Sequence, residues 1–395
     1  MNEAPIGDNI ERVSFVGERK DFARIVWRGT GLELLTAGFY RFWLATRMRR
    51  HLWSHTVIAG DSLEYTGKAR DLLIGFFFAL AILAPFYLFY FLAGLIAESL
   101  TPFASTPLVV AFYFLSLFAA FRARRYRLQR TVWRGVRFGM GGSTFGYIWR
   151  AALWGGATIL TLGLALPWRE AALERYKMRF THYGSLQGSF VGTGGQLFKV
   201  GWTLWVGPVA VIGLLGAIWF VLASLGQSYR NALVTIITLG FCFAIPFWWA
   251  TFRARLWRWR IGGMRFGEVS IASNLQSDDL SGRYWAIFGW SVLIVVLWIA
   301  SILFVVIPAS SRGAAGLQAF LTSPAGIAII LAPYVLAVLF FNIVIRMNIV
   351  HDIWKLVAQS ITISGLDAVQ SLAVAGESAN AMGEGLSDGL DIGGF

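Results

Sequence analysis

Long apolar runs alternate with polar segments along most of the chain, and this pattern predicts membrane-spanning helices. A helix needs roughly 20 mostly apolar residues to cross a hydrocarbon core about 30 Å thick, and several windows meet this length without a formal charge. Short connections at 98–106, 226–230 and 309–323 group the helices into three hairpins. We predict spans at approximately residues 72–97, 104–121, 201–225, 231–250, 285–308 and 324–345.

Two further apolar segments, residues 22–45 and 145–168, are weaker and carry charges. If either segment crossed the membrane, the basic clusters on its two sides would face opposite compartments. We therefore predict interfacial or re-entrant helices that pack against the spanning bundle, because charged groups at membrane depth need protein or water around them. The candidates for buried ion pairs are Arg28, Glu33, Arg41 and Arg150, with Glu33 expected to pair with Arg28 or Arg41.

Lysines and arginines are distributed unevenly about the predicted spans. Only Arg230 and Arg312 lie in the short connections, whereas the other side collects dense clusters such as residues 122–137 and 253–265. The positive-inside rule places the crowded side in the cytoplasm. Residues 1–10 lack the basic and apolar regions of a secretory signal. We therefore expect a multi-pass protein with both termini in the cytoplasm.

Short alternating runs interrupt the basic segments. Residues 56–65 and 131–138 alternate between apolar and polar side chains around a central glycine, Gly60 or Gly135, which is typical of a strand, a turn and a second strand. Several such hairpins on one face would form a small β layer, although short hairpins alone are marginal in water. The predicted fold class is an all-α polytopic membrane protein with three transmembrane hairpins, interfacial or re-entrant helices and short cytoplasmic β-hairpins.

Self-comparison indicates an internal duplication with an offset of about 125 residues. Thr36 recurs as Thr161, and the sequence Phe-Arg-Ala-Arg occurs at both 121–124 and 252–255. Self-similarity of this kind indicates repeated structural units, and the third copy is incomplete or diverged. We predict units at residues 1–143, 144–268 and 269–365, followed by an acidic, glycine- and alanine-rich tail at 366–395.

Three sequence features carry a resemblance to a known family. They are Phe15-Val-Gly17, the segment from Thr36 to Tyr40 with Trp43 and the arginines that follow, and the segment from Thr56 to Gly67. With these features the chain resembles the YjgN-like family of bacterial inner-membrane proteins over nearly its whole length, although that family's pattern is expected to have leucine at Ala37. The resemblance implies an inner-membrane protein with no assigned chemistry, and it adds no active site.

No residue pattern identifies catalytic, cofactor or metal chemistry. His51 and His55 lie four residues apart, as zinc ligands on one helix face do, but no third ligand follows at a suitable spacing, and interfacial histidines are the simpler interpretation. The glycines at 139–146 and 192–195 lack the lysine ending of a phosphate loop. Cys242 is the single cysteine, which excludes a disulfide within the chain. We expect no cofactor, no metal and no enzyme activity.

The composition favours lipid over nucleic acid as the expected partner of the basic residues. Hydrophobic residues make up 57% of the chain and charged residues 14%, outside the soluble range, while the net charge is +13. Most basic residues border apolar runs, so anionic lipid phosphates are the expected counter-charge. The predicted anionic-lipid contacts are Arg47, Arg49, Arg50, Arg122, Arg124, Arg125, Arg175, Arg179, Arg253, Arg255 and Arg258.

The same arginines stand beside tryptophans, a combination that also anchors helix ends at the interface without recognising any particular lipid. The leading hypothesis is a non-enzymatic protein that handles anionic lipid or a small solute at the cytoplasmic leaflet. The alternative is a transporter or channel with a pathway between the duplicated halves, and a lipid-acting enzyme comes third. A deep polar cavity reaching both faces favours transport, whereas a shallow basic groove open to the inner leaflet favours lipid binding.

Overall fold

Long helices alternate with short strands along the chain. The computed structural model describes residues 10–96, 101–222, 227–311 and 313–366. A π-helical segment, Arg346–Ile353, joins the last two helices. The helices are α1 (Arg19–Leu35), α2 (Arg41–Ser54), α3 (Ala69–Ile96), α4 (Thr101–Gln129), α5 (Thr144–Leu160), α6 (Leu166–Arg179), α7 (Gly194–Leu222), α8 (Gln227–Gly262), α9 (Ser277–Ser310), α10 (Gly313–Thr322), α11 (Pro324–Ile345) and α12 (Trp354–Gln359).

The strands pair antiparallel in two sheets. They are β1 (Glu11–Arg12), β2 (Ser14–Phe15), β3 (Thr56–Ile58), β4 (Asp61–Ser62), β5 (Glu64–Tyr65), β6 (Thr131–Trp133), β7 (Val136–Met140), β8 (Thr181–Tyr183), β9 (Leu186–Phe190), β10 (Met264–Phe266), β11 (Val269–Ser273) and β12 (Ile361–Ser364). One sheet has nine strands in the order β1-β12-β11-β10-β9-β8-β7-β6-β5, and the other has the order β2-β3-β4.

The two sheets share strands and close into a ring. β1 and β2 are consecutive pieces of one strand, since the Val13 N–H continues the β12 pairing by donating to the Ile361 carbonyl at 3.1 Å. β4 and β5 are likewise one strand, and the Leu63 N–H between them donates to the Thr56 carbonyl at 3.0 Å. The first strand therefore pairs with β12 on one side and β3 on the other. A closed ring leaves no strand edge open to other chains.

The predicted all-α class is wrong, because a continuous antiparallel sheet is a major part of the described fold. The prediction that the β structure consists only of short, separate hairpins is also wrong. Individual strands are only two to five residues long, and Glu11 at one end of the chain pairs with Ile363 at the other. Such short strands have little hydrophobic periodicity, and their partners lie too far away in sequence to be inferred locally.

Tight turns connect the strands at one end of the ring. Ala59 and Gly60 both have positive φ, 48° and 85°, and Arg134 and Gly135 repeat this conformation at 49° and 74°. Two successive positive φ values define a type I′ turn, whose twist matches that of the flanking strands. The turns predicted at Gly60 and Gly135 are therefore confirmed as parts of the ring.

Helical pairs connect the strands at the opposite end of the ring. α1–α2 lies between β2 and β3, α3–α4 between β5 and β6, α5–α6 between β7 and β8, and α7–α8 between β9 and β10, while α9 to α12 separate β11 from β12. In each case the flanking strands are neighbours in the ring. Every helical excursion therefore leaves and returns at the same end of the ring, and the arginine-rich ends of α4 and α8 lie at that end.

Five described helical segments are long and apolar enough to cross a membrane, and they match five of the predicted spans. They are Ala69–Ile96, Ser105–Gln129, Val234–Gly262, Ser277–Pro308 and Pro324–Gln359. The remaining predicted span, 201–225, coincides with α7 over its described part and extends into residues outside it. These helices are compatible with a multi-pass membrane protein.

The weak apolar segments 22–45 and 145–168 are not single helices but two short helical hairpins, α1–α2 and α5–α6. The two connections share the same hydrogen bonds: the Thr36 and Thr161 hydroxyls donate to carbonyls four residues earlier and accept from N–H groups four residues later. The duplication and the unit boundaries stay predictions. The predicted tail beyond residue 366 lies outside the described residues.

The largest hydrophobic core joins the ring to α1, α2 and the π-helical segment. Trp53 of α2 stacks on Trp354 of α12 with ring centroids 4.6 Å apart. Their indole N–H groups donate to the Thr131 and Thr56 hydroxyls in the ring, at 2.9 and 3.1 Å. Large aromatic side chains with satisfied polar atoms thus hold the helices rigidly on the ring.

Candidate functional site

A groove opens at the corner where the ring meets the α7–α8 pair, and we call it the corner groove. It lies between the end of β9, the first turns of α7 and the last turns of α8, and has a volume of about 490 Å³. The Val191 N–H donates to the Gly263 carbonyl at 2.9 Å, which fixes the end of α8 beside β9. Ligand pockets in proteins commonly measure 300–1,000 Å³, so the groove is large enough for a head group.

Three arginines and no acidic residue line the corner groove. Arg255 donates to the Val200 carbonyl at 2.7 Å, and Arg265 donates to the Gly262 carbonyl at 3.0 Å. Neutral carbonyls orient these guanidinium groups without cancelling their charge. Arg258 is exposed and makes no hydrogen bond or ion pair with any residue in the described part of the chain. The groove therefore carries positive charge that the described residues do not neutralise.

The start of α7 forms the opposite wall. The Thr193 N–H donates to Gln196 Oε1 at 3.0 Å, and the Gln196 N–H donates to Thr193 Oγ1 at 3.3 Å, which is a capping box. The Trp259 indole donates to the Thr193 carbonyl at 3.2 Å. A helix amino terminus carries partial positive charge, so this wall adds to the attraction for an anion.

Gly192 keeps the corner groove open. A Cβ atom at this position would lie 2.6 Å from the Phe190 ring and 3.1 Å from Trp259. The two rings meet edge to face, with centroids 5.1 Å apart, so neither moves aside without losing that contact. A larger residue at 192 would push against the Phe190 ring and against Trp259, which lines the groove.

The corresponding corner at the start of α3 and the end of α4 is closed. Asp71 in the first turn of α3 accepts hydrogen bonds from Arg130 and from the Tyr126 hydroxyl, both at 2.9 Å. A carboxylate thus neutralises the arginine there, whereas Gln196 in the first turn of α7 carries no charge. Of these two corners, only the α7–α8 corner has arginines that no described carboxylate neutralises.

Comparison with known proteins assigns the chain to a family. A sequence profile for a bacterial protein of unknown function, DUF898, matches residues 10–388. The chain belongs to the DUF898 family. The resemblance to YjgN-like proteins is confirmed, since these form the same family. No curated protein and no solved structure matches.

Most arginines predicted to contact lipid in this DUF898 chain have protein partners. Arg50 and Arg175 donate to the carbonyls of Gly67 and Gly192 at 3.2 and 3.5 Å. Others meet aromatic rings or other groups, and Arg49 is buried. Arg47 lies over Tyr40, Arg122 over Phe118, Arg179 over Phe180 and Arg253 over Trp257, while Arg125 donates to Met140 and Arg124 to Glu174. The structure brings Arg255 and Arg258 together in the corner groove.

Glu33 forms a buried ion pair with Arg346, a partner that the sequence did not suggest. Arg346, at the junction of α11 and the π-helical segment, contacts both Glu33 oxygens at 2.7 and 2.9 Å and also donates to Thr30. Arg41 lies over the Phe42 ring, and no described contact joins Arg28 to Glu33. The partner lies more than 300 residues away, so proximity in sequence was a poor guide.

Arg150 is not part of a buried ion pair among the described residues. Its side chain donates to the Gly146 carbonyl at 2.9 Å and lies over the Tyr176 ring at 4.7 Å. It therefore links α5 to α6 through an aromatic contact and a carbonyl, which is a way to hold a cation near lipid without a counter-charge.

A buried charge cluster that the sequence did not reveal joins α4, α6 and α8. The Glu174 side chain is 1% exposed and contacts Lys177 at 2.7 Å, Arg260 at 2.9 Å and Arg124 at 3.3 Å. Burial raises the pKa of Glu174, but the three cations outweigh it and hold the pKa well below its usual range. Glu174 is therefore ionised at neutral pH and fixes three helices around one carboxylate.

Sequence reasoning also missed three residues of the corner groove: Gln196, Trp259 and Arg265. The Thr193-x-x-Gln196 spacing is a capping-box signature and marks the start of α7 within the glycine segment 192–195. Trp259 and Arg265 had no distinguishing local pattern within their basic segment. Their role follows from the ring, which brings β9 beside the end of α8.

Three of the four histidines, His51, His55 and His351, lie in one cluster that joins distant parts of the chain. The His51 and His55 rings lie 4.2 Å apart, and Phe22 lies between His51 and His351, with ring distances of 5.6 and 4.9 Å. Burial, followed by the nearby His55 and His351, lowers the pKa of His51 to about 4, with Asp21 opposing the shift. No group of residues in the described chain is arranged to hold a metal ion.

This lowered pKa predicts a loss of stability in acid. His51 stays neutral in the folded state while the unfolded chain binds a proton, so stability falls as the pH drops from 6.5 towards 4. Between pH 7 and pH 5 we expect a loss of about 1–2 kcal/mol. Thermal unfolding of the purified protein across this range should show a smaller loss for His51→Gln. Equal slopes for the two proteins would contradict the assignment.

Proposed function

We propose that this protein binds the anionic head groups of membrane lipids at the corner groove, as a binding protein and not as an enzyme. The observation that carries the proposal is Arg258, an exposed guanidinium with no described partner, beside two arginines held by neutral carbonyls. A phosphate meets several donors here at once. Charge-assisted hydrogen bonds of this kind are stronger than neutral ones.

The position of the groove supports a lipid ligand over a soluble one. It lies at the junction of the ring with α7 and with the span Val234–Gly262, where a phospholipid carries its phosphate. Trp259 stands in its wall, and tryptophan is enriched at this depth. The groove is open and basic, which is the geometry that favours lipid binding over a transport pathway.

The distribution of basic residues supports a cytoplasmic position for the ring, in a bacterial inner membrane. The closed ring holds the arginine-rich ends of α4 and α8 on one side, and clusters of arginine are retained in the cytoplasm during insertion. The groove then faces the inner leaflet, whose anionic lipids attract basic residues.

Neutralising Arg258 tests the proposal. Each charge-assisted contact is worth about 1–2 kcal/mol, so Arg258→Gln should weaken binding of phosphatidylglycerol roughly five- to thirtyfold. Native mass spectrometry of the delipidated protein titrated with phosphatidylglycerol or phosphatidylcholine gives the measurement. Arg12→Gln, which removes an exposed arginine from β1 far from α7 in the ring order, is the matched control and should leave binding unchanged.

Two results would contradict the proposal. Phosphatidylcholine binding as tightly as phosphatidylglycerol would show that the groove does not select charge. An equal loss in Arg12→Gln and Arg258→Gln would show that only net charge matters. Because Arg258 supports no described contact within the protein, its replacement should leave the fold intact, and thermal unfolding checks this.

A further inference from the structure

A second groove lies on the membrane-facing side of α3 and α4, away from the corner groove. It has a volume of about 560 Å³, and its lining is apolar apart from Arg122 at one end. α3 contributes Phe78, Ile82 and Phe86, which are spaced four residues apart and so share one helical face. The groove is therefore a continuous apolar channel with a cation at its end nearer the ring.

Small residues beneath the groove bring α3 and α4 close together. Ala79 of α3 and Ala119 of α4 are almost fully buried against each other's helix, together with Leu115. Alanine lets two helices approach closely. The larger side chains of α3 and α4 on either side of this contact then form the walls of the groove. Ile148 of α5 forms a further wall near the ring end.

The length of the groove matches one leaflet of a bilayer. From Ala111 to Arg122 the α-helical rise is about 16 Å, and half of a hydrocarbon core is about 15 Å. Arg122 stands where head groups begin, since the apolar part of α4 ends there and the arginine-rich segment 122–130 follows. The apolar end, at Phe86 and Ala111, then reaches the middle of the membrane.

Arg122 has unused hydrogen-bonding capacity. Its guanidinium lies over the Phe118 ring at 5.4 Å, and its Nε atom is buried without a hydrogen-bond partner in the described structure. A partly buried cation next to an apolar channel is costly unless an anion meets it. Neighbouring Arg125 adds positive charge while donating to the Met140 carbonyl at 2.6 Å.

We propose that this groove holds one acyl chain of an anionic phospholipid whose phosphate binds Arg122. The groove provides an apolar surface one leaflet long and a single cation at head-group depth, in the order in which a phospholipid presents its acyl chain and phosphate. The site shares no residue with the corner groove, so its occupancy is independent of the proposed function.

A photoreactive lipid tests this assignment on the full-length protein. Phosphatidylglycerol with a diazirine at the end of one acyl chain should label residues near Phe86 and Ala111, mapped by peptide mass spectrometry. Arg122→Gln should reduce this labelling at least about fivefold, the equivalent of one charge contact. The matched control is Arg253→Gln, which removes the arginine at the same place in the second Phe-Arg-Ala-Arg sequence and should leave labelling unchanged.

A second variant keeps the test decisive if Arg122→Gln fails to fold. Ala111→Trp fills the far end of the groove and should abolish labelling there without touching the charge. Arg258→Gln should leave labelling unchanged, which separates this site from the corner groove. Equal labelling by the phosphatidylcholine analogue would reduce the groove to ordinary lipid contact. Stronger labelling by a diazirine fatty acid than by phosphatidylglycerol would overturn the phospholipid assignment.

Discussion

Replacing Glu174 by glutamine is expected to lower the free energy of unfolding by about 3–5 kcal/mol, because it leaves buried cations without a counter-charge. Arg124, Lys177 and Arg260 all contact this carboxylate, whose side chain is 1% exposed. Glutamine has nearly the same shape, so packing is preserved and the loss reports the charge. The midpoint of thermal unfolding in detergent, compared with wild type, gives the measurement.

Glu170→Gln is the matched control for this experiment. Glu170 is on the same helix and contacts only Arg260 of the three cations, at 3.1 Å, with a side chain that is 26% exposed. Partly exposed pairs contribute about 1 kcal/mol or less, so this variant should unfold close to wild type. Adding Lys177→Gln to Glu174→Gln should restore part of the stability. Similar losses in Glu170→Gln and Glu174→Gln would contradict a central role for Glu174.

The charge cluster also shows that an arginine-rich sequence alone does not identify lipid contacts. In sequence, Arg124 is one of a dense group in α4, and nothing local distinguishes it from its neighbours. In the fold, the corners between strands and helices leave carbonyls that need donors. Arg50 and Arg175 supply them at Gly67 and Gly192. Arginine content in the sequence therefore does not separate cations with a structural role from cations that are free to bind a ligand.

The spans were predictable because their signal is local, whereas the ring was not. Twenty apolar residues in a row identify a membrane helix without any knowledge of the rest of the chain. A strand such as β3, Thr56–Ile58, has three residues, and its partners β2 and β4 lie on opposite sides of it in sequence. Gly60 and Gly135 revealed turns, but turns alone do not show that the last strand returns to the first.

The two short helical hairpins illustrate the same limit. Charge patterning predicted that segments 22–45 and 145–168 do not cross the membrane, yet it could not show how far each enters. Each hairpin starts and ends in adjacent strands of the ring, so both extend from the same end of the ring as the candidate spans. The expected depth of each hairpin tip in the membrane can then be inferred from its contacts with the candidate spanning helices.

The α5–α6 hairpin extends far along α4. The rings of Tyr147 and Phe121 stack with centroids 4.9 Å apart, and further along α5 the Tyr113 hydroxyl donates to the Ala151 carbonyl. From Tyr147 to Leu160 the helical rise is about 20 Å. Since the span of α4 is predicted to begin near Phe121, we expect the tip near the middle of a core about 30 Å thick.

The α1–α2 hairpin is expected to enter the membrane less deeply. Its turn residue Phe39 contacts Phe77 of α3, with ring centroids 6.3 Å apart. Phe77 follows Asp71, the last charged residue before the span, by about 9 Å of helical rise. Glu33 near the same turn meets Arg346, at the end of α11 nearer the ring. We therefore expect this tip in the outer part of the leaflet next to the ring.

A nitroxide label at Leu160 is accordingly expected near the bilayer centre, about 10 Å deeper than a label at Leu35, the matching residue of the first hairpin. Both side chains are highly exposed, 86% and 82%, so labelling disturbs no packing. Single cysteines in a Cys242→Ser background, reconstituted in vesicles, report depth through collision with oxygen and a water-soluble nickel complex. Ser185, in a turn of the ring, should be fully water-accessible. Nickel access at Leu160, or equal depth at both tips, would show that α5–α6 does not enter the membrane by half its thickness.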